Sequence, residues 1–168
     1  QPVTFSIAEE TNSIEITSSY GKYRLAGESG QDFPRVPEAE SVDSVNIQAP
    51  ALSQIIAKTL FATSTDELRP AMTGVYLQID FGKLICVATD AHKLVKYTLK
   101  ELESDVSSSF IVPKKAMNLL KSALPAGGEV KISFNKSNAF FDFGDTNLIC
   151  RLVDSRYPDY NAVIPVDN

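Results

Sequence analysis

Two periods of apolar residues run along this chain, and each marks a different kind of element. Near the start, apolar positions alternate with polar ones. Residues 3–37 begin VTFSIAEETNSIEIT, pass through YGKYRLAG and close on DFPRVP. Residues 130–165 follow the same plan, with VKISFNKSNAFFDF, then TNLICRLVD, then YPDYNAVIP. Such alternation predicts half-buried strands, and the polar breaks between them predict turns. Both stretches therefore read as strand, turn, strand, turn, strand and an aromatic–proline exit. A helix-bearing segment precedes the second copy but not the first. The chain thus reads as the tail of one repeat unit followed by one complete unit. It starts at Gln1, which fits a piece of a longer protein.

Between the two copies the period lengthens to that of a helix. Leu52, Ile55, Ile56 and Leu60 form one apolar stripe, predicting a helix over about 50–63 with Pro50 in its first turn. A second helix is predicted from Pro113 to about Leu124, with Ala116, Leu119, Leu120, Ala123 and Leu124 as its apolar stripe. Pro125 and Gly127-Gly128 end it. Strands are predicted at 45–48, at GVYLQID and KLICVAT (a hairpin round Phe81-Gly82), at 93–99, briefly at Phe110–Val112, and three times after the second helix. The repeat unit is then β-α-β-β-β-α-β-β-β. Two amphipathic helices packed on one face of a largely antiparallel sheet make an α+β domain. The segment QDFPRVPEAESVDS, with two prolines and four acids, reads as a connection between the units. The expected organisation is C-terminal strands of a truncated domain at 1–38, a linker at 39–44 and a complete domain at 45–166.

Composition narrows the function classes only a little. The 168 residues are 43% hydrophobic and 22% charged, as in an ordinary soluble globular protein. No apolar run approaches the length that spans a membrane, so no membrane partner is expected. Cys86 and Cys150 sit inside apolar strand patterns and read as reduced core cysteines of a cytoplasmic protein. No CxxC motif or Cys/His cluster points to a metal site. The net charge of −5 argues against a bulk polyanion binder, so what matters is whether the lysines gather on one face.

Three stretches carry candidate chemistry. On the second helix Lys114, Lys115, Asn118, Lys121 and Ser122 lie opposite the apolar stripe with no acid among them, and Lys58 adds a charge on the first helix. Such a face can lie along a phosphate backbone without reading bases, or can simply be a solvated helix surface. The segment ATDAHKL holds the only histidine, His92, two residues after Asp90. An Asp/His pair with Thr89 as nucleophile is one reading, and an Asp-stabilised turn is the other. The stretch LVDSRYPDYNAVIP is stiff, apolar and aromatic, suited to docking a short apolar peptide or to covering a sheet. Phosphate-loop, dinucleotide and zinc-protease motifs are absent. No catalytic residue, cofactor or metal is expected.

Four segments taken together resemble one family. DELRPAMTGVYLQI and LICVATDAHKLVKY resemble the middle domain of the bacterial sliding clamp, the beta subunit of the replicative DNA polymerase. FIVPKKAMNLL resembles the entry to that domain's second helix, and RLVDSRYPDYNAVIP its end. The resemblance implies a DNA-clamp fold, in which two amphipathic helices pack on a curved antiparallel sheet. It implies a protomer of three such domains, the third absent here, and a homodimeric ring whose helices surround duplex DNA. Processivity then comes from topology, with no bond made or broken by the clamp. The alternatives left standing are a small hydrolase or transferase using Asp90 and His92, and a purely structural repeat protein.

The same resemblance implies site residues. Lys115 matches a DNA-facing position, with Lys114, Lys121 and Lys58 as further candidates. Polymerase subunits, clamp loader and repair proteins would dock short peptides, roughly of QLxLF type, in a pocket at the domain edge. Its lining is expected from Met72, Thr89, Ala91, His92, Lys93, Leu94, Pro158 and Val163, with Ala162 at the rim. Met72 stands where a Leu is common, Ala91 for a frequent Gly, Lys93 for a frequent Arg, and Ala162 where some members carry an Arg. The pocket's other wall belongs to the absent domain.

Overall fold

The alternation in residues 3–26 folds as an antiparallel meander of β1 (Thr4–Ala8), β2 (Ser13–Ser18) and β3 (Gly21–Ala26). The computed structural model describes residues 2–37 and 42–165, and the chain divides into two units at 1–37 and 38–168. Residues 39–41 of the expected linker, and residue 166 of the expected domain, lie outside the described residues. In the first unit, cross-strand register stacks Phe5, Ile16 and Tyr23 in one row and Ile7, Ile14 and Leu25 in the next. Glu15 holds Lys22 at 3.2 Å and Arg24 at 3.5 Å.

The second unit runs β4 (Asp43–Gln48), α1 (Ala49–Thr59), β5 (Gly74–Asp80), β6 (Gly82–Thr89), β7 (Leu94–Leu102), β8 (Ser108–Pro113), α2 (Lys114–Ala123), β9 (Glu129–Phe134), β10 (Asn138–Phe143) and β11 (Thr146–Arg151). It is an α+β domain, but its order corrects the expected unit by one strand. The short strand at Phe110–Val112 is the middle of β8, paired with β5 from Gly74↔Pro113 to Ile79↔Ser108. Its two leading serines shorten it in an apolar-pattern reading, while backbone pairing to β5 does not depend on side chains. The unit is therefore β-α-β-β-β twice over.

The expected single sheet is in fact two four-stranded sheets, ordered β11-β10-β9-β4 and β7-β6-β5-β8. Each half sends its first strand to the other: β4 pairs with β9, and β8 with β5. The helices join the two sheets. Leu52, Ile55 and Ile56 of α1 and Ala116, Met117 and Leu120 of α2 share one core with Val75, Leu77, Leu84, Ile132 and Phe141. The first amide of α1 donates to the Gly128 carbonyl at 2.8 Å, so the Gly127-Gly128 turn caps the other helix's start.

α1 buries its whole predicted stripe, Leu52, Ile55, Ile56 and Leu60, but ends early, whereas α2 departs from its predicted stripe. α1 stops at Thr59, and a 3-10 turn at Leu60–Ala62 replaces its last predicted turn. The Thr59 hydroxyl is buried and donates back to the Ile55 carbonyl at 2.8 Å, which satisfies it without solvent. In α2, Met117 is fully buried and Leu119 is 54% exposed. Leu119 stands one residue, about 100° of rotation, behind Leu120 and turns out of a narrow contact stripe.

The sheet β7-β6-β5-β8 is covered on both faces, which is why β6 is buried at six successive positions, Leu84 to Thr89. Leu84, Cys86 and Ala88 face the helices; Ile85 and Val87 join Ala71, Ile111, Tyr157 and Tyr160 on the opposite side. The Tyr157 ring stacks on Tyr76 at 4.5 Å, the Tyr160 hydroxyl donates to Gln78 at 2.9 Å, and the Val153 amide donates to Ile111 at 3.0 Å. The aromatic–proline segment is thus a strap across this sheet.

Gly74 begins β5 where the strands run closest. A Cβ there would lie 2.4 Å from the Val112 carbonyl oxygen and 2.8 Å from Ile111 Cγ2. Gly74→Ala is expected to lower unfolding free energy by about 1–3 kcal/mol, seen as an earlier urea midpoint at unchanged slope. An unmoved midpoint would show that β5 and β8 do not approach this closely.

Candidate functional site

The turn between β6 and β7 is built by its own side chains. The Thr89 hydroxyl donates to the Lys93 carbonyl at 2.8 Å and accepts from the Ala91 amide at 3.1 Å. Asp90 Oδ1 accepts from the amides of His92 at 3.0 Å and Lys93 at 2.9 Å, and its other oxygen pairs with the Lys93 ammonium. The Lys93 ammonium first, then these amides, hold the Asp90 carboxyl well below the usual carboxylate range. Ala91 takes φ 76°, a left-handed conformation that a glycine adopts without strain. Among the described residues, no hydrogen bond joins the Asp90 carboxylate to the His92 imidazole. Asp90 is a turn-forming group here, with both carboxylate oxygens engaged within the turn.

This turn forms one side of a groove of ≈ 430 Å³. Three separate chain segments meet there: Met72 from the 3-10 turn Pro70–Thr73; Thr89, Ala91, His92, Lys93 and Leu94 from the β6–β7 turn; and Pro158, Asp159, Tyr160 and Val163 from the strap. Ala162 is exposed on the strap's 3-10 turn, Tyr160–Val163, but does not line the groove. Tyr160, which the sequence reading placed in the docking stretch but not in the pocket, also lines the groove, and so does Asp159, which it did not name. The signal for them was their position directly after Pro158 in a segment already singled out.

The groove's walls are held firmly. Asp159 caps the strap's 3-10 turn by accepting from the Asn161 amide at 3.1 Å. Tyr160 is buried, with the Lys96 ammonium 5.2 Å from its ring centroid. Lys96 also donates to Asn161 Oδ1 at 3.3 Å. Val163 remains 68% exposed at the mouth. The result is an open, apolar-lined groove with polar turn groups at one rim, suited to holding apolar side chains of a short peptide.

The lysine face lies on α2. The helix opens with Lys114 and Lys115 directly after Pro113, with no capping side chain and no acid in its first turn. Two ammonium groups there oppose the positive end of the helix, which favours acidic residues instead. Local helix preference does not explain them. Lys121 in the last turn of α2 and Lys58 in the last turn of α1 agree with the field at their helix ends. Lys58, Lys115 and Lys121 are exposed and Lys114 is half-buried. Among the described residues none of the four lysines is in an ion pair.

Cys86 and Cys150 are free thiols. Burial pushes the Cys150 thiol up to about 11 and that of Cys86 higher still, so both are poor nucleophiles. Among the described residues no group of His, Cys, Asp and Glu could hold a metal ion, and no helix is long and apolar enough to cross a membrane.

Comparison with known proteins gives one family throughout. The family model described as DNA polymerase III beta subunit, central domain, matches residues 46–159. The beta sliding clamp of Staphylococcus epidermidis is 34% identical over 151 residues, covering 89% of this chain and 40% of that protein. The Staphylococcus aureus beta sliding clamp is 33% identical over the same length and shares. The chain thus spans about 40% of the length of the curated relatives it matches. Among solved structures, the Bacillus subtilis DNA polymerase sliding clamp superposes with a TM-score of 0.88 at 29% identity, over 98% of this chain and 44% of that one. The Pseudomonas aeruginosa DNA polymerase III beta subunit gives 0.85 at 27% identity, over 97% and 44%.

Proposed function

This chain belongs to the DNA polymerase III beta subunit family, the bacterial beta sliding clamps, and from that membership we propose that it is part of a non-catalytic ring encircling duplex DNA in the cytoplasm. The ring is a homodimer of three-domain protomers, in which residues 1–38 end the first domain and 45–166 form the middle one. It tethers polymerase subunits, the clamp loader and repair proteins to DNA without regard to sequence.

The observation that carries this reading is the unpaired lysine face of α2. Lys114 and Lys115 stand where helix electrostatics disfavour them, which points to a role outside the helix. A sliding ring needs attraction that is not sequence-specific, and lysines facing phosphates supply it. Phosphate attraction on one face is compatible with the net charge of −5 overall.

The groove supplies the docking half of the reading. Its lining from Met72, Leu94, Pro158, Tyr160 and Val163 suits the apolar side chains of a QLxLF-type peptide. In a full-length protomer carrying this segment, Leu94→Asp is expected to weaken binding of such a peptide by about 100-fold or more, because a carboxylate would be desolvated against apolar side chains. Leu94 is half-buried at the start of β7, so the melting temperature should fall only modestly. Titration with a fluorescent peptide measures this, and undiminished affinity would remove the groove from the docking role.

A further inference from the structure

Leu119 is the residue on α2 that the helix's amphipathic pattern does not account for. It is 54% exposed, while the neighbouring Met117 and Leu120 are fully buried. Lys114, Lys115, Asn118, Leu119 and Ser122 together line one shallow, open surface depression of ≈ 510 Å³. The two polar uncharged members are turned back onto the helix. Asn118 Nδ2 donates to the Lys114 carbonyl at 3.1 Å, and the Ser122 hydroxyl donates to the Asn118 carbonyl at 3.2 Å. Those bonds use the Ser122 donor and one of the two Asn118 Nδ2 hydrogens, and hold both side chains against the helix. The depression therefore presents an apolar side chain beside ammonium groups, with no carboxylate in its lining.

That combination matches a deoxyribose–phosphate strand, which offers anionic oxygens and apolar sugar edges in alternation. Lys115 lies one helical turn before Leu119, about 6 Å along the axis. This is close to the axial rise of two nucleotides of one strand. We propose that Leu119 packs against the sugar edges of a duplex lying along α2, while Lys115 holds the adjoining phosphate. The inference rests on the DNA-encircling reading above and adds to it a contact that salt does not screen. In a ring that must slide, such a contact keeps the duplex seated against the helix without fixing its register, since every nucleotide presents the same sugar.

The test separates the two kinds of contact by their salt dependence. The 168-residue chain is titrated with a short duplex by NMR over a series of low salt concentrations, as parent, Leu119→Gln and Lys115→Gln. Lys115→Gln should reduce the slope of log affinity against log salt by about 0.9. Leu119→Gln should weaken binding about threefold at every salt concentration and leave the slope unchanged. Thermal melts of both variants check that the exposed substitutions leave the fold intact. If Leu119→Gln binds as the parent does while Lys115→Gln flattens the slope, the Leu119 contact is wrong and the DNA reading stands. If neither variant differs from the parent, both fall. Tighter binding to phosphatidylglycerol vesicles than to duplex, lost in Leu119→Gln, would overturn the proposal in favour of a membrane surface.

Discussion

A full-length protomer carrying Lys114→Glu, Lys115→Glu and Lys121→Glu should hold a short linear duplex roughly 100-fold less tightly at low salt, with the difference closing as salt rises. Three phosphate-facing cations are removed and three repulsive charges replace them. The salt slope should fall by about 2 to 3, since each phosphate contact contributes about 0.9. Helix electrostatics make the result hard to mistake for unfolding. Glutamates at 114 and 115 suit the positive end of α2, each by about 0.3–1 kcal/mol, while Lys121→Glu at the other end loses a similar amount. The melting temperature should therefore hold or rise slightly as DNA affinity collapses. Undiminished affinity at low salt would sink the lining role of this helix.

Phe141→Ala should cost about 3–5 kcal/mol of stability. Phe141 is fully buried on β10, opposite Ile132 of β9 and Leu148 of β11. It stands in the same core as Leu52, Ile55 and Met117, so the loss opens a cavity where the helices meet the sheet. A typical domain has only about 5–15 kcal/mol to lose. The second unit should unfold at a markedly lower urea concentration, and α1 and α2 should lose their shared support. A shift below about 1 kcal/mol would mean that the surrounding core closes over the cavity.

Much of this architecture was legible in the residues. The two periods separated strands from helices, and the repeat between 3–37 and 130–165 found both three-stranded meanders. The lysine face was visible because Lys114, Lys115 and Lys121 fall on one arc with no acid between them. The groove was legible only in pieces. From the residues alone, ATDAHKL and LVDSRYPDYNAVIP were separate candidates, and the family resemblance linked them through their shared role. Asp159 went unnamed, and Tyr160 was named only as part of the docking stretch, because nothing local distinguishes a lining residue from its neighbour on a short 3-10 turn. The same ambiguity put Ala162 at a rim it does not line.

Local pattern determined the elements, the α+β class and the charge of each helix face, because side-chain period and capping chemistry act within a few residues. Tertiary structure alone decided what lies far apart in sequence. It exchanged β4 and β8 between the halves, chose Met117 over Leu119 for the core, and laid Tyr157 and Tyr160 across the sheet. It also brought Met72, Leu94 and Val163 to one groove. Backbone pairing and close packing act between any surfaces that meet, whatever the sequence distance, and no local period records where they will.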